Sequence, residues 1–211
     1  MSEPARPAER RGVCLVLVRH GEQERSGQDG PLTERGLRQA AAVAAAVSLT
    51  ASDVLICSSR RRARQTAACF GPGAEVIDDL DEYRFGPDWS WQHADAREDL
   101  ALWRPEHHAG GESMAEFQRR IDRAVGGLVE RNPPGRIVMC VHSGVIDAVL
   151  RWVFGASPDV AWTTEAVVAH GSITELQHWP TGRHARGAPR HTVVVRVGDV
   201  GHLTADLITG Q

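Results

Sequence analysis

The sequence has no long hydrophobic run and no large excess of charge of either sign. No apolar stretch approaches the ~20 residues that a helix needs to span a bilayer, and residues 1–11 lack the apolar core of a secretory signal. The formal net charge is -3, from 24 basic and 27 acidic residues, so no global basic field favours nucleic acid or an anionic membrane. We therefore expect a cytoplasmic protein with no nucleic acid or membrane partner, in which any anion site is local.

Cysteine is scarce, with four residues, and no two are spaced like a zinc clip or a redox pair. Three of them lie in short apolar runs that are typical of buried strands: Cys14, Cys57 and Cys140. Several histidines also lack zinc-ligand spacing, among them His107, His108, His184 and His191. We therefore expect free thiols, no metal and no organic cofactor.

Length and composition favour one α/β domain. The chain has 211 residues, 42% of them hydrophobic, which suits a single core of ordinary size. Residues 1–11 are polar and contain proline, and they predict a flexible tail. We expect a single catalytic domain over residues 12–211.

Short β-rich runs alternate with helical stretches. Strands are predicted at 13–18, 53–57 and 137–141, and helices at 33–47, 61–70, from a capping box at 113–116, and at 144–154. Continuous apolar strands suit a parallel sheet covered on both faces. Two later strands, 172–176 and 191–197, predict an antiparallel pair at the sheet edge. The pattern predicts a three-layer α/β sandwich with a mostly parallel central sheet and helices on both faces.

Polar residues that follow the three buried strands are the candidates for a site, because ligands of such sheets bind at the carboxyl ends of the strands. Arg19 and His20 follow the first strand, four arginines within residues 60–64 follow the second, and His142 follows the third. Arginine pairs with phosphate oxygens two at a time, and a neutral imidazole can accept a phosphoryl group. The arginine run is by default a solvated helix face, but one of its members should turn inward.

The residues around His20 resemble a known family. Leu17-Val18-Arg19-His20-Gly21-Glu22 is similar to the signature of the histidine phosphatase superfamily, also called the phosphoglycerate-mutase-like family. Further blocks follow in the family's order within residues 13–203: 30–36 with Gln39-Ala40, 62–67, 80–82, 111–113, 141–144 and 201–203. The resemblance implies the phosphoglycerate-mutase-like fold.

The resemblance also implies roles for individual residues. His20 would be the phosphoryl acceptor, Glu82 the proton donor, and Arg19, Arg62 and His142 the phosphate pocket. The sequence departs from the family pattern at Gln23, at residues 59–61 and at Ser143. These departures leave Arg60, Arg61 and Arg64 as alternatives to Arg62. Asp81 is an alternative to Glu82, because both lie in the acidic run at 78–82. Glu112 either supports the pocket, as the resemblance suggests, or merely favours the start of a helix.

The resulting hypothesis is a metal-independent phosphomonoesterase that acts on a small phosphorylated metabolite through a phosphohistidine. One alternative is a phosphoglycerate mutase, which residues 80–86 partly support. Two features oppose a mutase. The segment between Glu22 and Pro31 is short compared with that of the mutases, and residues 83–111 lack the adjacent arginine pair that the mutases use. The other alternative is a non-catalytic phosphate-binding module, which the joint presence of all five site residues opposes.

Residues 83–110 form the segment expected to lie on the substrate side. The segment contains Trp89, Trp91 and Trp103, whose faces would pack either on a substrate ring or in the core. Neither the substrate nor the oligomeric state follows from the sequence. The protein is either a monomer or a homodimer.

Overall fold

A six-stranded mixed sheet forms the centre of the protein, which we describe from a computed structural model. Its strands are β1 (Val13–Arg19), β2 (Val54–Cys57), β3 (Glu75–Val76), β4 (Arg136–Val141), β5 (Ile173–Trp179) and β6 (His191–Asp199). They lie in the order β3-β2-β4-β1-β5-β6. The first four are parallel, whereas β5 runs antiparallel to both β1 and β6. The predicted α/β class, the mostly parallel sheet and the antiparallel edge pair are confirmed.

The structure describes residues 12–24, 29–84, 86, 110–132, 135–160, 165–179 and 190–210. The predicted tail at 1–11 and most of the segment 83–110, including its three tryptophans, lie outside these residues. His107, His108 and His184 lie outside them as well.

Four helices cover the sheet: α1 (Glu34–Val47), α2 (Arg61–Ala68), α3 (Met114–Arg131) and α4 (Ser143–Phe154). The predicted capping box is present at Ser113 and Glu116. Helix α2 ends two residues earlier than expected, because the amides of Cys69 and Phe70 bond to carbonyls three residues back, in a tighter 3-10 turn. None of the described helices is long and apolar enough to cross a membrane.

The two faces of β1 belong to two different apolar clusters, since side chains alternate along a strand. Leu15 and Leu17 pack in the cluster that contains Phe117 of α3 and Ile146 of α4. Val16 and Val18 pack in the cluster that contains Val43 of α1 and Ala67 of α2. Burial of both faces explains why this strand is a continuous apolar run with no alternation of polar residues.

The loop after β1 is held against the start of α1. A β-carbon added at Gly36 would lie 2.0 Å from the carbonyl oxygen of Glu22, so only glycine permits this approach. The side chain of Gln39 accepts a hydrogen bond from the Glu22 amide at 2.7 Å. These contacts explain the Thr-Glu-Arg-Gly block at 33–36: it anchors the segment that follows His20.

Three carboxyl strand ends and one amino end meet at a single edge of the sheet. The amide of His20 donates to the carbonyl of Val141 at 2.9 Å, and the Gly171 amide donates to the carbonyl of Arg19 at 3.0 Å. Because β5 is antiparallel to β1, the residues before β5 lie beside the residues after β1. The edge therefore collects side chains from four separate parts of the chain.

Candidate active site

His20 lies at the centre of this edge with its side chain buried, 5% exposed. Its Nδ1 contacts the carbonyl oxygen of Gly21 at 2.8 Å, and its Nε2 contacts Nε of Arg62 at 3.1 Å. A carbonyl only accepts and a guanidinium only donates, so Nδ1 carries the hydrogen and Nε2 presents its lone pair. Burial, reinforced by the charges of Arg62 and Arg19, lowers the pKa of His20 well below its usual value. The ring is therefore a neutral imidazole with its lone pair on Nε2.

His142 stands next to His20 as the N-cap residue of α4. The two ring centroids are 5.0 Å apart in an edge-on arrangement, and His142 is fully buried. Its Nε2 lies 2.7 Å from the hydroxyl oxygen of Ser58, whereas its Nδ1 has no hydrogen-bond partner among the described residues. Burial and the charge of Arg62 lower the pKa of His142 well below its usual value.

Only one of the four candidate arginines on α2 and its N-cap lies against His20. Arg62 is 5% exposed and contacts His20, while Arg61 and Arg64 are exposed. Arg60 lies near the carboxylate of Asp81, with its Nε at 3.4 Å. The geometry thus favours Arg62 as the arginine of the pocket, the residue that the family resemblance implies.

Arg19 is held by hydrogen bonds to residues before β5 and near residue 210. Its guanidinium donates to the carbonyls of Val168 and Gly210 and to Nε2 of His170, the last at 3.1 Å. The ring of His170 lies 5.5 Å from that of His20. Burial, and after it the charge of Arg19, lowers the pKa of His170 to about 4.

His170 was not anticipated from the sequence. It immediately precedes Gly171-Ser172 and strand β5, which is antiparallel to β1. The signal that could identify His170 is the topology of the sheet. When one strand runs antiparallel to the others, the residues that precede this strand lie at the same edge as the residues that follow the neighbouring strands.

Glu82 lies at the N-terminus of α4. Its Oε2 accepts from the amide of Gly144 at 3.2 Å, and its Oε1 accepts from the amide of Tyr83 at 3.1 Å. A β-carbon at Gly144 would lie 2.4 Å from Glu82 Oε1, so the glycine leaves room for the carboxylate. The positive end of the helix dipole favours a carboxylate at this position.

The neighbouring Asp81 points elsewhere. Its Oδ1 accepts from the hydroxyl of Ser58 at 2.9 Å and from the amide of Ser59 at 3.0 Å. Asp81 thus contacts the residues after β2, and Glu82 contacts the residues after β4. Of the two candidate acids, Glu82 lies at the N-terminus of α4, whereas Asp81 is hydrogen-bonded to Ser58.

Glu112 forms an ion pair with a side chain of α3. It forms a two-point ion pair with buried Arg120 of α3, through Oε2 and Nε at 3.0 Å and through a second, shorter contact. Arg120 also donates to the carbonyls of Asp79 and Asp81, both at 2.9 Å. The pair therefore holds the backbone that carries Glu82, which is a supporting position.

Within the described ranges, no three histidine, cysteine, aspartate or glutamate side chains are grouped so that they could hold a metal ion. The charges around His20 come from Arg19 and Arg62, and two further imidazoles border it. A site of this kind can bind the oxygens of a phosphoryl group by charge-assisted hydrogen bonds and can present a neutral nucleophile to its phosphorus.

Comparison with known proteins gives consistent matches. The model of the histidine phosphatase superfamily (branch 1) matches residues 15–188. The adenosylcobalamin/alpha-ribazole phosphatase of Escherichia coli is 28% identical over 169 residues, covering 70% of this chain and 82% of that protein. A probable phosphoglycerate mutase, GpmB, of Cronobacter sakazakii is 29% identical over 212 residues, covering 90% and 95% of the respective chains.

A solved structure supports the fold. A phosphoserine phosphatase mutant of Entamoeba histolytica, in complex with phosphoserine, matches with a TM-score of 0.70 at 20% identity. The match covers 91% of this chain and 100% of that one. At this identity it bears on the architecture alone, and it agrees with the sheet and helices described above.

Proposed function

This chain belongs to the histidine phosphatase superfamily, and we propose that it is a metal-independent phosphomonoesterase that forms a phosphohistidine at His20. The observation that carries the proposal is the state of His20. Its Nδ1–H is held by the carbonyl of Gly21, and its Nε2 lone pair lies beside Arg62. The substrate class is a small phosphorylated metabolite.

In the first step, Arg19, Arg62 and His142 bind the phosphoryl oxygens of the ester. The lone pair of His20 Nε2 attacks phosphorus, the bond from phosphorus to the ester oxygen breaks, and the leaving oxygen takes a proton from Glu82. Positioning and charge stabilisation do most of the work in phosphoryl transfer, which agrees with a pocket of cations around one nucleophile.

In the second step, the ionised Glu82 takes a proton from a water molecule. The water oxygen attacks the phosphorus of phosphohistidine, the nitrogen–phosphorus bond breaks, and inorganic phosphate leaves. His20 returns to its neutral form and Glu82 is again protonated, so the cycle closes without a cofactor.

Replacement of the nucleophile tests the proposal. The wild type is first screened for phosphate release from sugar phosphates, nucleotides and phosphorylated cofactors. His20→Ala should abolish release from any substrate found, while folding is retained, because the change removes the phosphoryl acceptor. His191→Ala, a half-exposed histidine on β6, is the matched control and should keep wild-type rates. Acid-labile phosphoenzyme should form in the wild type and the control but not in His20→Ala.

Two outcomes would overturn the proposal. Normal turnover by well-folded His20→Ala protein would exclude His20 as the nucleophile. Loss of wild-type activity in EDTA, restored by a divalent cation, would indicate a metal-dependent hydrolase.

A mutase is the second candidate, because the C. sakazakii relative carries that description over nearly the whole chain. Both activities would share the phosphohistidine, but they differ in the acceptor of the phosphoryl group. Incubation with 3-phosphoglycerate separates them: a phosphatase releases inorganic phosphate, whereas a mutase produces 2-phosphoglycerate.

A further inference from the structure

A chain of hydrogen bonds runs from Asp81 through Ser58 to His142. Ser58 Oγ lies 2.9 Å from Asp81 Oδ1 and 2.7 Å from His142 Nε2. All three side chains are buried, with 7%, 0% and 0% exposed for Asp81, Ser58 and His142. The chain therefore connects a carboxylate to one nitrogen of an imidazole in the candidate pocket without intervening solvent.

The hydrogens of this chain can be assigned from its donors and acceptors. The Asp81 carboxylate also accepts from the amide and hydroxyl of Ser59 at 3.0 and 2.9 Å, so it acts as an acceptor towards Ser58 too. A hydroxyl has one hydrogen and two lone pairs. Ser58 gives its hydrogen to Asp81, and one lone pair already accepts from the Arg60 amide at 3.1 Å. The contact to His142 is then a bond that Nε2–H donates to Ser58.

This assignment leaves the lone pair of neutral His142 on Nδ1. That atom is buried and has no hydrogen-bond partner in the described part of the chain. A buried acceptor without a hydrogen-bond partner destabilises a protein unless a ligand supplies the partner. The charged and titratable groups that face His142 are Arg19, His20, Arg60, Arg62, Glu82 at Gly144, and Asp81 behind Ser58.

We propose that Asp81 is a positioning residue that acts through Ser58 to keep a hydrogen on Nε2 of His142, so that Nδ1 gains a proton when a phosphate group binds. This inference rests on the proposed function. The proton comes from the P–OH group of a monoanionic phosphate: that O–H bond breaks, an N–H bond forms on Nδ1, the phosphate becomes a dianion, and His142 becomes a cation opposite it. Asp81 and Ser58 stabilise the cation from behind.

The pKa of His142 agrees with this coupling. Burial and the neighbouring arginines hold the pKa of His142 low, so the ring is neutral. A phosphate dianion reverses the sign of the local field and favours the imidazolium. Phosphate binding and proton uptake are thus linked at a single atom.

Ring-nitrogen spectra of protein labelled with ¹⁵N-histidine, without ligand and with inorganic phosphate, test the proposal. In the wild type, His142 should show hydrogen on Nε2 alone, and phosphate should add hydrogen to Nδ1. Ser58→Ala should lose the preference for Nε2–H and bind phosphate about tenfold more weakly, since a hydrogen bond to a charged group is removed. Ser59→Ala is the matched control, because Ser59 bonds to Asp81 but does not contact His142, and it should give the wild-type spectrum.

Asp81→Asn provides a second variant in case Ser58→Ala folds poorly, and it should change the His142 spectrum in the same direction. A wild-type His142 with its hydrogen on Nδ1 would overturn the proposal. Wild-type spectra and phosphate affinity in both variants would overturn it too. These outcomes are separate from those that test the proposed function, which are phosphohistidine formation at His20, the turnover of His20→Ala and the effect of EDTA.

Discussion

At the scale of single residues, two histidines a few ångströms apart hold their hydrogens on different nitrogens. The Gly21 carbonyl keeps the hydrogen of His20 on Nδ1, and the Ser58 hydroxyl keeps that of His142 on Nε2. Under the two proposals made above, the same side chain is a nucleophile in one position and a phosphate-binding base in the other. The hydrogen-bond partner, and not the residue type, decides between these roles.

The role of Glu82 can be tested with two leaving groups. Glu82→Gln should slow phosphorylation of His20 by alkyl phosphates, by roughly 10²–10⁴-fold, because an alkoxide leaves poorly without a proton. Nitrophenyl phosphate, whose leaving group hardly needs a proton, should be affected much less in this step. Dephosphorylation should be slower with both substrates, so acid-labile phosphoenzyme should accumulate with the nitrophenyl ester. Equal slowing of both esters without accumulation would exclude Glu82 as the acid.

At the scale of elements, the first turn of α4 couples His142 to Glu82. His142 caps the helix, and the amide of Gly144 donates to the Glu82 carboxylate. The loop that carries Glu82 is in turn held by Arg120 of α3. Two helices on one face of the sheet thus set the position of the Glu82 carboxylate relative to His142.

A pair of glycine substitutions tests this arrangement. Gly144→Ala would place a β-carbon 2.4 Å from Glu82 Oε1 and displace the carboxylate. We expect kcat to fall, on the order of 100-fold, since small misplacements of catalytic groups have effects of this size. Gly127→Ala in α3 is the control: nothing lies within 4 Å of its added β-carbon. It should leave kcat unchanged and stabilise the helix by about 1 kcal/mol.

Steady-state kinetics and urea unfolding of both variants provide the measurement. If Gly144→Ala kept wild-type kcat, the position of Glu82 against α4 would have no part in the reaction. Loss of activity in both variants would point to a general effect of alanine on helix packing.

At the scale of the whole molecule, buried histidines make the fold sensitive to acid. The pKa values of five described histidines are lowered mainly by burial: to about 4 for His170 and His178, below normal for His202, and well below normal for His20 and His142. Below pH ~6.5 the unfolded chain binds protons that the folded chain does not. The free energy of unfolding should therefore fall as the pH drops from about 6.5 towards 4, by up to about 1.4 kcal/mol per pH unit for each group.

Asp147 has the opposite effect, because burial raises its pKa to about 7. Above pH ~4 the unfolded chain loses the proton on Asp147, whereas the folded chain keeps it. The stability that Asp147 contributes is therefore present at low pH and is lost as the pH rises through 7. His178→Gln, on β5 away from the pocket, should reduce the loss of stability between pH 7 and pH 5. Asp147→Asn should increase it. Urea unfolding at both pH values measures the changes, and an unchanged difference in His178→Gln would contradict the assignment.

The sequence by itself determined the class of the fold and most of the candidate site. Runs such as Val13–Val18 had to be buried strands, and the residues after parallel strands had to meet at one edge. That reasoning predicted that His20, His142 and one arginine meet, and the family resemblance favoured Arg62 and Glu82 but left their neighbours as alternatives. The fold class was predictable because it depends on local patterns and on the geometry shared by all parallel sheets, whereas the roles of the site residues remain predictions.

Only the tertiary structure decided which partner each polar group has. The sequence could not place His170 beside Arg19, because the contact depends on an antiparallel strand that starts more than 150 residues after β1 begins. It could not separate Asp81 from Glu82, since adjacent acids differ only in what lies on each side of the backbone. Nor could it pair Glu112 with Arg120. Hydrogen bonds need partners within about 3 Å, and for residues far apart in the chain only the packing of helices and strands sets such distances.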